Sequence, residues 1–248
     1  MAKSHNDGRG MEKVVIIINA EVNDSGKLIS ASPVTQKMVE ALQRSIARHS
    51  PSKNVEIVSA ATLWSKNSKI IRKDKDDTIY CPLTIQLPEH YDFPQRKIYS
   101  LCKDINARRR WVEKTLGLKT SVGDSWLGHL WLPIVLVDKE RPIFAEVIGE
   151  GTMPNSYEHP VMIPKRQQKS LHSLAERLLV TLDAPPATYL LQFSLYNGEI
   201  VFDRLWPFPA APASITIKTQ QPDLFSCHWH CLIQKPIANI SVSDAMPI

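Results

Sequence analysis

The stretch TYLLQFSLYNGEIVFDRLW, residues 188–206, sets two apolar runs on either side of Asn197-Gly198. Asn-Gly is the strongest short-range hairpin signal, because both residues tolerate the positive φ that a tight type I′ turn requires. Thr188 to Tyr196 and Glu199 to Trp206 are therefore expected to pair as antiparallel strands. Upstream, Leu171, Leu174, Leu178 and Leu182 share one side of a helix predicted near residues 167–182. Before that helix, Leu130 to Val137 and Pro142 to Gly149 flank the charged turn Asp138-Lys139-Glu140-Arg141 and read as another hairpin. Downstream lies a proline-rich stretch, WPFPAAP at 206–212, and then Leu224 to Ile233 reads as a last strand. Hairpin, helix, hairpin points to an antiparallel sheet with a helix on one face.

The first half has a different pattern. Val14 to Asn19 (VVIIIN) is an uninterrupted run of the kind found in strands buried on both faces. Ser32-Pro33 is an N-cap followed by proline at the first helical position, and Val34, Met38, Leu42 and Ile46 then recur at helical spacing through residue 48. Val55 to Val58 follows as a strand, so the chain opens as a β-α-β unit, whose ordinary geometry is parallel and right-handed. Residues 65–77 (SKNSKIIRKDKDD) read as an exposed loop or strand edge. The clearest helix runs from about Arg96 to Leu116 and is closed by Gly117. The expected class is α+β: a basic N-terminal α/β part over 11–118 and a β-rich part over 119–248, the two able to form one domain. The polar residues 1–10 read as a disordered tail without the apolar region of a signal peptide.

Composition narrows the function. With 43% hydrophobic residues the 248-residue chain is no disordered protein, and 4 cysteines make no disulfide scaffold. Its longest apolar runs, Val14 to Ile18 and Leu130 to Val137, are too short to span a bilayer. Without an export signal the cysteines are expected as reduced thiols in a cytoplasmic setting. Glycine is scarce, 9 residues, and neither GxGxxG nor GxxxxGKS/T occurs, so no nucleotide or other cofactor is expected. Residues 1–120 hold 21 Lys and Arg against 13 Asp and Glu, whereas residues 121–248 hold 9 against 12. That asymmetry suggests a basic face for an acidic partner, either nucleic acid or a protein surface.

The candidate partner-binding residues lie on the basic helix: Lys103, Arg108, Arg109, Arg110 and Lys114, with Trp111 among them. Arginine grips phosphate or carboxylate bidentately, and tryptophan can stack on a base. Helical phase puts Arg109 within the apolar arc of Ile105 and Val112, where it must either meet a partner or snorkel past the core. Glu146, Asp203 and Arg204 are charges inside apolar strands. They suggest a polar pocket for a small anion, with a carboxylate as general base, or a structural Glu146–Arg204 ion pair.

Two further constellations are weaker. In Cys227-His228-Trp229-His230-Cys231 a strand would put His228 and His230 on one face as two metal ligands, with both cysteines packed on the other. Asp124, Ser125 and His129 have the residue types of a hydrolytic triad but lack a nucleophile elbow. The proline-rich stretch offers a docking surface, or else covers the end of the sheet. Taken together, these features favour a non-enzymatic binding or accessory subunit that contacts nucleic acid or an acidic protein as part of a complex. An enzyme or small-anion binder with a pocket on the C-terminal sheet is the second reading, and a zinc domain built on His228 and His230 the third.

Overall fold

β-Branched residues fill the first strand, β1 (Lys13–Ile18), and five of its six residues are buried. The computed structural model describes residues 13–242 apart from 24, 65–77, 124–127 and 139–140. The tail at 1–10 and the charged segment at 65–77 therefore lie outside the described residues. A short ribbon, β2 (Glu21–Val22) with β3 (Leu28–Ser30), leads to α1 (Pro33–His49). Ser32 caps α1 by accepting from the Thr35 amide at 3.1 Å, and Met38, Val39, Leu42 and Ile46 face the core. Next come β4 (Asn54–Ser59) and β5 (Thr78–Pro82), which flank β1 in parallel, in the order β4-β1-β5. The expected parallel β-α-β unit is present, extended by a third strand.

The long basic helix is in fact two helices, α2 (Arg96–Lys103) and α3 (Ile105–Leu116). The break falls at Asp104, whose carboxylate accepts from the Ala107 amide at 3.0 Å and so starts a new helix. Gly117 ends α3 in the left-handed conformation, at φ 64°.

Then follow β6 (Lys119–Thr120), β7 (Leu130–Leu136), β8 (Ile143–Phe144), β9 (Val147–Glu150) and β10 (Tyr157–Val161). After α4 (Lys165–Thr181) come the two long strands β11 (Ala187–Tyr196) and β12 (Glu199–Trp206). Asn197 and Gly198 have φ values of 51° and 76°, as the two-residue hairpin demands. Among the described residues these strands form one sheet in the order β10-β9-β7-β11-β12-β6, with β8 beside β7. The pairing is antiparallel except at β12 and β6. The chain closes with α5 (Thr216–Thr219), β13 (Gln220–Gln221), α6 (Leu224–Leu232) and β14 (Ser241–Val242). An α+β class is thus what the structure has, and the buried residues of the small parallel sheet and the large sheet belong to one core.

The strand expected at Leu224 to Ile233 is a helix. Asp223 caps it, accepting from the amides of Phe225 and Ser226 at 2.9 and 3.0 Å. Leu224 to Cys231 is buried all round between α1 and β11, and a helix buried on every side loses the polar stripe by which periodicity would reveal it.

A charged cleft beside a closed polar network

Where β11 and β12 pair, the register steps from Gln192–Arg204 to Phe193–Phe202. Asp203 is the extra residue of this bulge, a device that re-aims a side chain out of the ordinary alternation. Its side chain is fully buried, and it meets Arg109 of α3. Arg109 Nη2 donates to Asp203 Oδ1 at 2.6 Å, Nε to the Asp203 carbonyl at 3.1 Å, and Nη1 to the Gly123 carbonyl at 2.9 Å. Arg204 Nε reaches the same Oδ1 at 3.2 Å, and the Gly128 amide donates to Oδ2 at 2.7 Å. Gln192 completes the set, its Nε2 donating to the Gly128 carbonyl at 2.6 Å and its Oε1 accepting from Trp206 Nε1 at 3.0 Å. One buried carboxylate is thus shared by two guanidinium groups and a backbone amide, an arrangement that satisfies charges otherwise too costly to bury.

Gly128 is fitted against β11. A Cβ there would lie 2.6 Å from the Phe193 carbonyl oxygen, closer than such atoms approach. Gly128→Ala is expected to destabilise the protein by about 1–3 kcal/mol through forced displacement of this loop. Chemical denaturation checks this, and a wild-type midpoint would contradict the fit.

On the other side of α2 and α3 lies a cleft of about 490 Å³, a size suited to a small ligand. Arg96, Ser100 and Lys103 of α2 and Arg108 of α3 line it, together with Glu89 and Asp104. Lys103 Nζ donates to the Leu87 carbonyl at 3.3 Å and stands 5.8 Å over the Trp64 ring. The Asp104 carboxylate is committed to capping α3. Arg108 Nε is buried with no hydrogen-bond partner among the described residues. Tyr99 forms part of the wall: its hydroxyl donates to the Pro82 carbonyl of β5 at 2.7 Å, and its ring stacks on Phe208 of the proline-rich stretch.

The residues singled out from sequence therefore separate. Arg109, only 5% exposed, is spent on Asp203 and cannot offer its charge to an outside partner. Arg108 and Lys103 line the cleft, while Arg110 and Lys114 are exposed on the outer face of α3. Asp203 and Arg204 do meet, but as parts of the closed network rather than of an open pocket. Glu146 is exposed and takes no part, so the expected Glu146–Arg204 pair is replaced by Asp203–Arg204.

His228 and His230 cannot share a face, since residues two apart on a helix diverge by about 200°. His228 Nδ1 accepts from the Thr188 amide at 3.1 Å, whereas the His230 ring packs edge-on against His49 of α1, 4.4 Å between centroids. The zinc reading falls with the strand, and no group of three metal-ligating side chains occurs among the described residues. Asp124 and Ser125 lie outside the described residues, and His129 is exposed. Phe208 and the prolines around it are buried, so the proline-rich stretch covers the sheet end instead of presenting a docking surface. In the sequence Arg96 is one more cation of the basic helix and Ser100 carries no signal, because nothing local shows that α2 borders a cleft.

No protein-family model matches the sequence, and no curated protein matches it. Solved structures do. The chain is similar to glycinamide-RNase-transformylase T from Mycobacterium tuberculosis, with 15% identity over 91% of this chain and 80% of that one and a TM-score of 0.66. It is also similar to N5-carboxyaminoimidazole ribonucleotide synthetase from Thermotoga maritima, at 11% identity over 92% and 77% of the two chains and a TM-score of 0.65. A third likeness is to N5-carboxyaminoimidazole synthase from Aspergillus clavatus in complex with ADP and 5-aminoimidazole ribonucleotide, at 11% identity, 92% and 78% coverage and a TM-score of 0.59. At 11–15% identity these likenesses show a shared fold. This likeness overturns the expectation of a non-enzymatic binding or accessory subunit and of a nucleic-acid binder, since the solved chains that share the architecture are enzymes. No described helix is long and apolar enough to cross a membrane.

Proposed function

We propose that the protein is an enzyme acting on a small anionic substrate, a phosphate-bearing one, held in the cleft of Arg96, Lys103 and Arg108. The observation that carries this reading is Arg108, whose buried Nε has no partner among the described residues and which lines the cleft beside two further cations. A buried donor left unsatisfied is unfavourable, and an incoming phosphate oxygen would relieve it with a charge-assisted hydrogen bond. Ser100 adds a hydroxyl to the cleft lining, and Glu89 a carboxylate. The likeness to a chain that binds 5-aminoimidazole ribonucleotide supports a ligand of this class.

All four cysteines are free and buried, and burial pushes the thiols of Cys102 and Cys231 up to about 12. They act as packing groups, as suits the reducing cytosol in which we place the protein.

Calorimetric titration with 5-aminoimidazole ribonucleotide and with ribose 5-phosphate tests the reading. Arg108→Met is expected to weaken binding by about 10- to 100-fold, the loss of a hydrogen bond to a charged group, with little change in unfolding midpoint. Equal affinity in wild type and variant, or no binding of either compound, would overturn it.

A further inference from the structure

We infer that the large sheet does not bind a magnesium–nucleotide, although a solved chain of the same fold is a complex with ADP. Magnesium demands near-octahedral oxygen ligands, ordinarily one or two carboxylates together with the phosphates and water. The carboxylate at the polar centre of this sheet is Asp203, and both its oxygens are taken. Oδ1 accepts from Arg109 at 2.6 Å and from Arg204 at 3.2 Å, and Oδ2 accepts from the Gly128 amide at 2.7 Å. The residue is wholly buried, so no ion reaches it without dismantling the network.

The neighbouring positions repeat the pattern. Gln192, opposite Arg204 in register, has its amide nitrogen on Gly128 and its amide oxygen on Trp206. Arg204 puts a fixed positive charge beside that pair, its guanidinium carbon 5.8 Å from the Trp206 ring, where it repels a divalent cation. At the far end of β12 Glu199 is likewise engaged, by Lys119 at 2.6 Å. The side chains described on β11 and β12 thus do not fit a magnesium–nucleotide: the carboxylate at their bulge is already held by two guanidinium groups and a backbone amide. This inference does not depend on the phosphate-cleft reading.

Two titrations decide it, each with ATP and with ADP at up to about 1 mM, in the presence and absence of magnesium. Calorimetry is expected to show no magnesium-dependent binding. With manganese in place of magnesium, the electron paramagnetic resonance signal of the manganese–nucleotide should be unchanged by equimolar protein. Saturable binding that requires the divalent ion, or broadening of the manganese signal that persists in Arg108→Met, would overturn the inference. Nucleotide bound equally well with and without magnesium and released in Arg108→Met would leave it standing, because that is phosphate entering the cleft.

Discussion

Asp203→Ala is expected to destabilise the protein by about 3–5 kcal/mol, the magnitude seen when one partner of a buried ion pair is removed. The variant would leave Arg109, 5% exposed, without the carboxylate it is buried against, and would strip the Gly128 amide of its acceptor. Arg109→Met is milder, because Arg204 and Gly128 still hold the carboxylate. The order of the two effects is itself diagnostic. With both substitutions in one chain the loss should fall below the sum of the single losses, since Arg109 is then no longer a buried charge facing a missing carboxylate. Urea denaturation of the four proteins gives the cycle. Additive losses, or an Asp203→Ala protein as stable as wild type, would show that the pair does not fasten α3 to the sheet.

Acidification should weaken the fold through His228. The ring is fully enclosed between α6 and β11, and burial pushes its pKa down to about 3, against the ordinary 6.5. The folded protein therefore excludes a proton that the unfolded chain accepts below about pH 6.5. This contribution to stability is complete above pH 6.5 and is lost as the pH falls toward 3. Between pH 6.5 and 5 the loss from this residue amounts to about 2 kcal/mol, at 1.36 kcal/mol per pH unit. Desolvation also lowers the pKa values of His159, His172 and His230, so His228→Gln should reduce the acid sensitivity without abolishing it. Glutamine keeps an acceptor for the Thr188 amide. Unfolding free energies of both proteins at pH 7 and pH 5 test this, and identical pH dependence would remove His228 from the explanation.

How far the sequence reveals this molecule depends on the distance over which each signal acts. Asn197-Gly198, Ser32-Pro33 and the leucines of α4 act within a few residues, and the elements they specify form where expected. Arg109 is an intermediate case. Its place on an apolar helical face shows that it needs a partner, but that partner lies 94 residues away and is aimed at it only by a bulge. No local pattern distinguishes Asp203 from Glu146 as the carboxylate that is buried.

The helix α6 was legible in part. Asp223 just after Pro222 is a capping signal, yet eight successive buried residues carry no polar stripe to set the period. As a strand the segment would keep His228 and His230 on one face as two metal ligands; as a helix it separates them. The cleft is the least legible feature, because Arg96, Lys103 and Arg108 converge only once α2 and α3 break at Asp104.

The central claim is that Arg108 receives the substrate anion, and the Arg108 Nε–Hε resonance reports on that atom itself. It can be assigned in a ¹⁵N-labelled protein by its disappearance in Arg108→Met, then followed as ribose 5-phosphate is added. The cleft reading predicts a saturable shift of this resonance, with Arg109 Nε, already bonded to the Asp203 carbonyl, left in place. A resonance that stays fixed while the ligand binds elsewhere, or while no ligand binds at all, would contradict it.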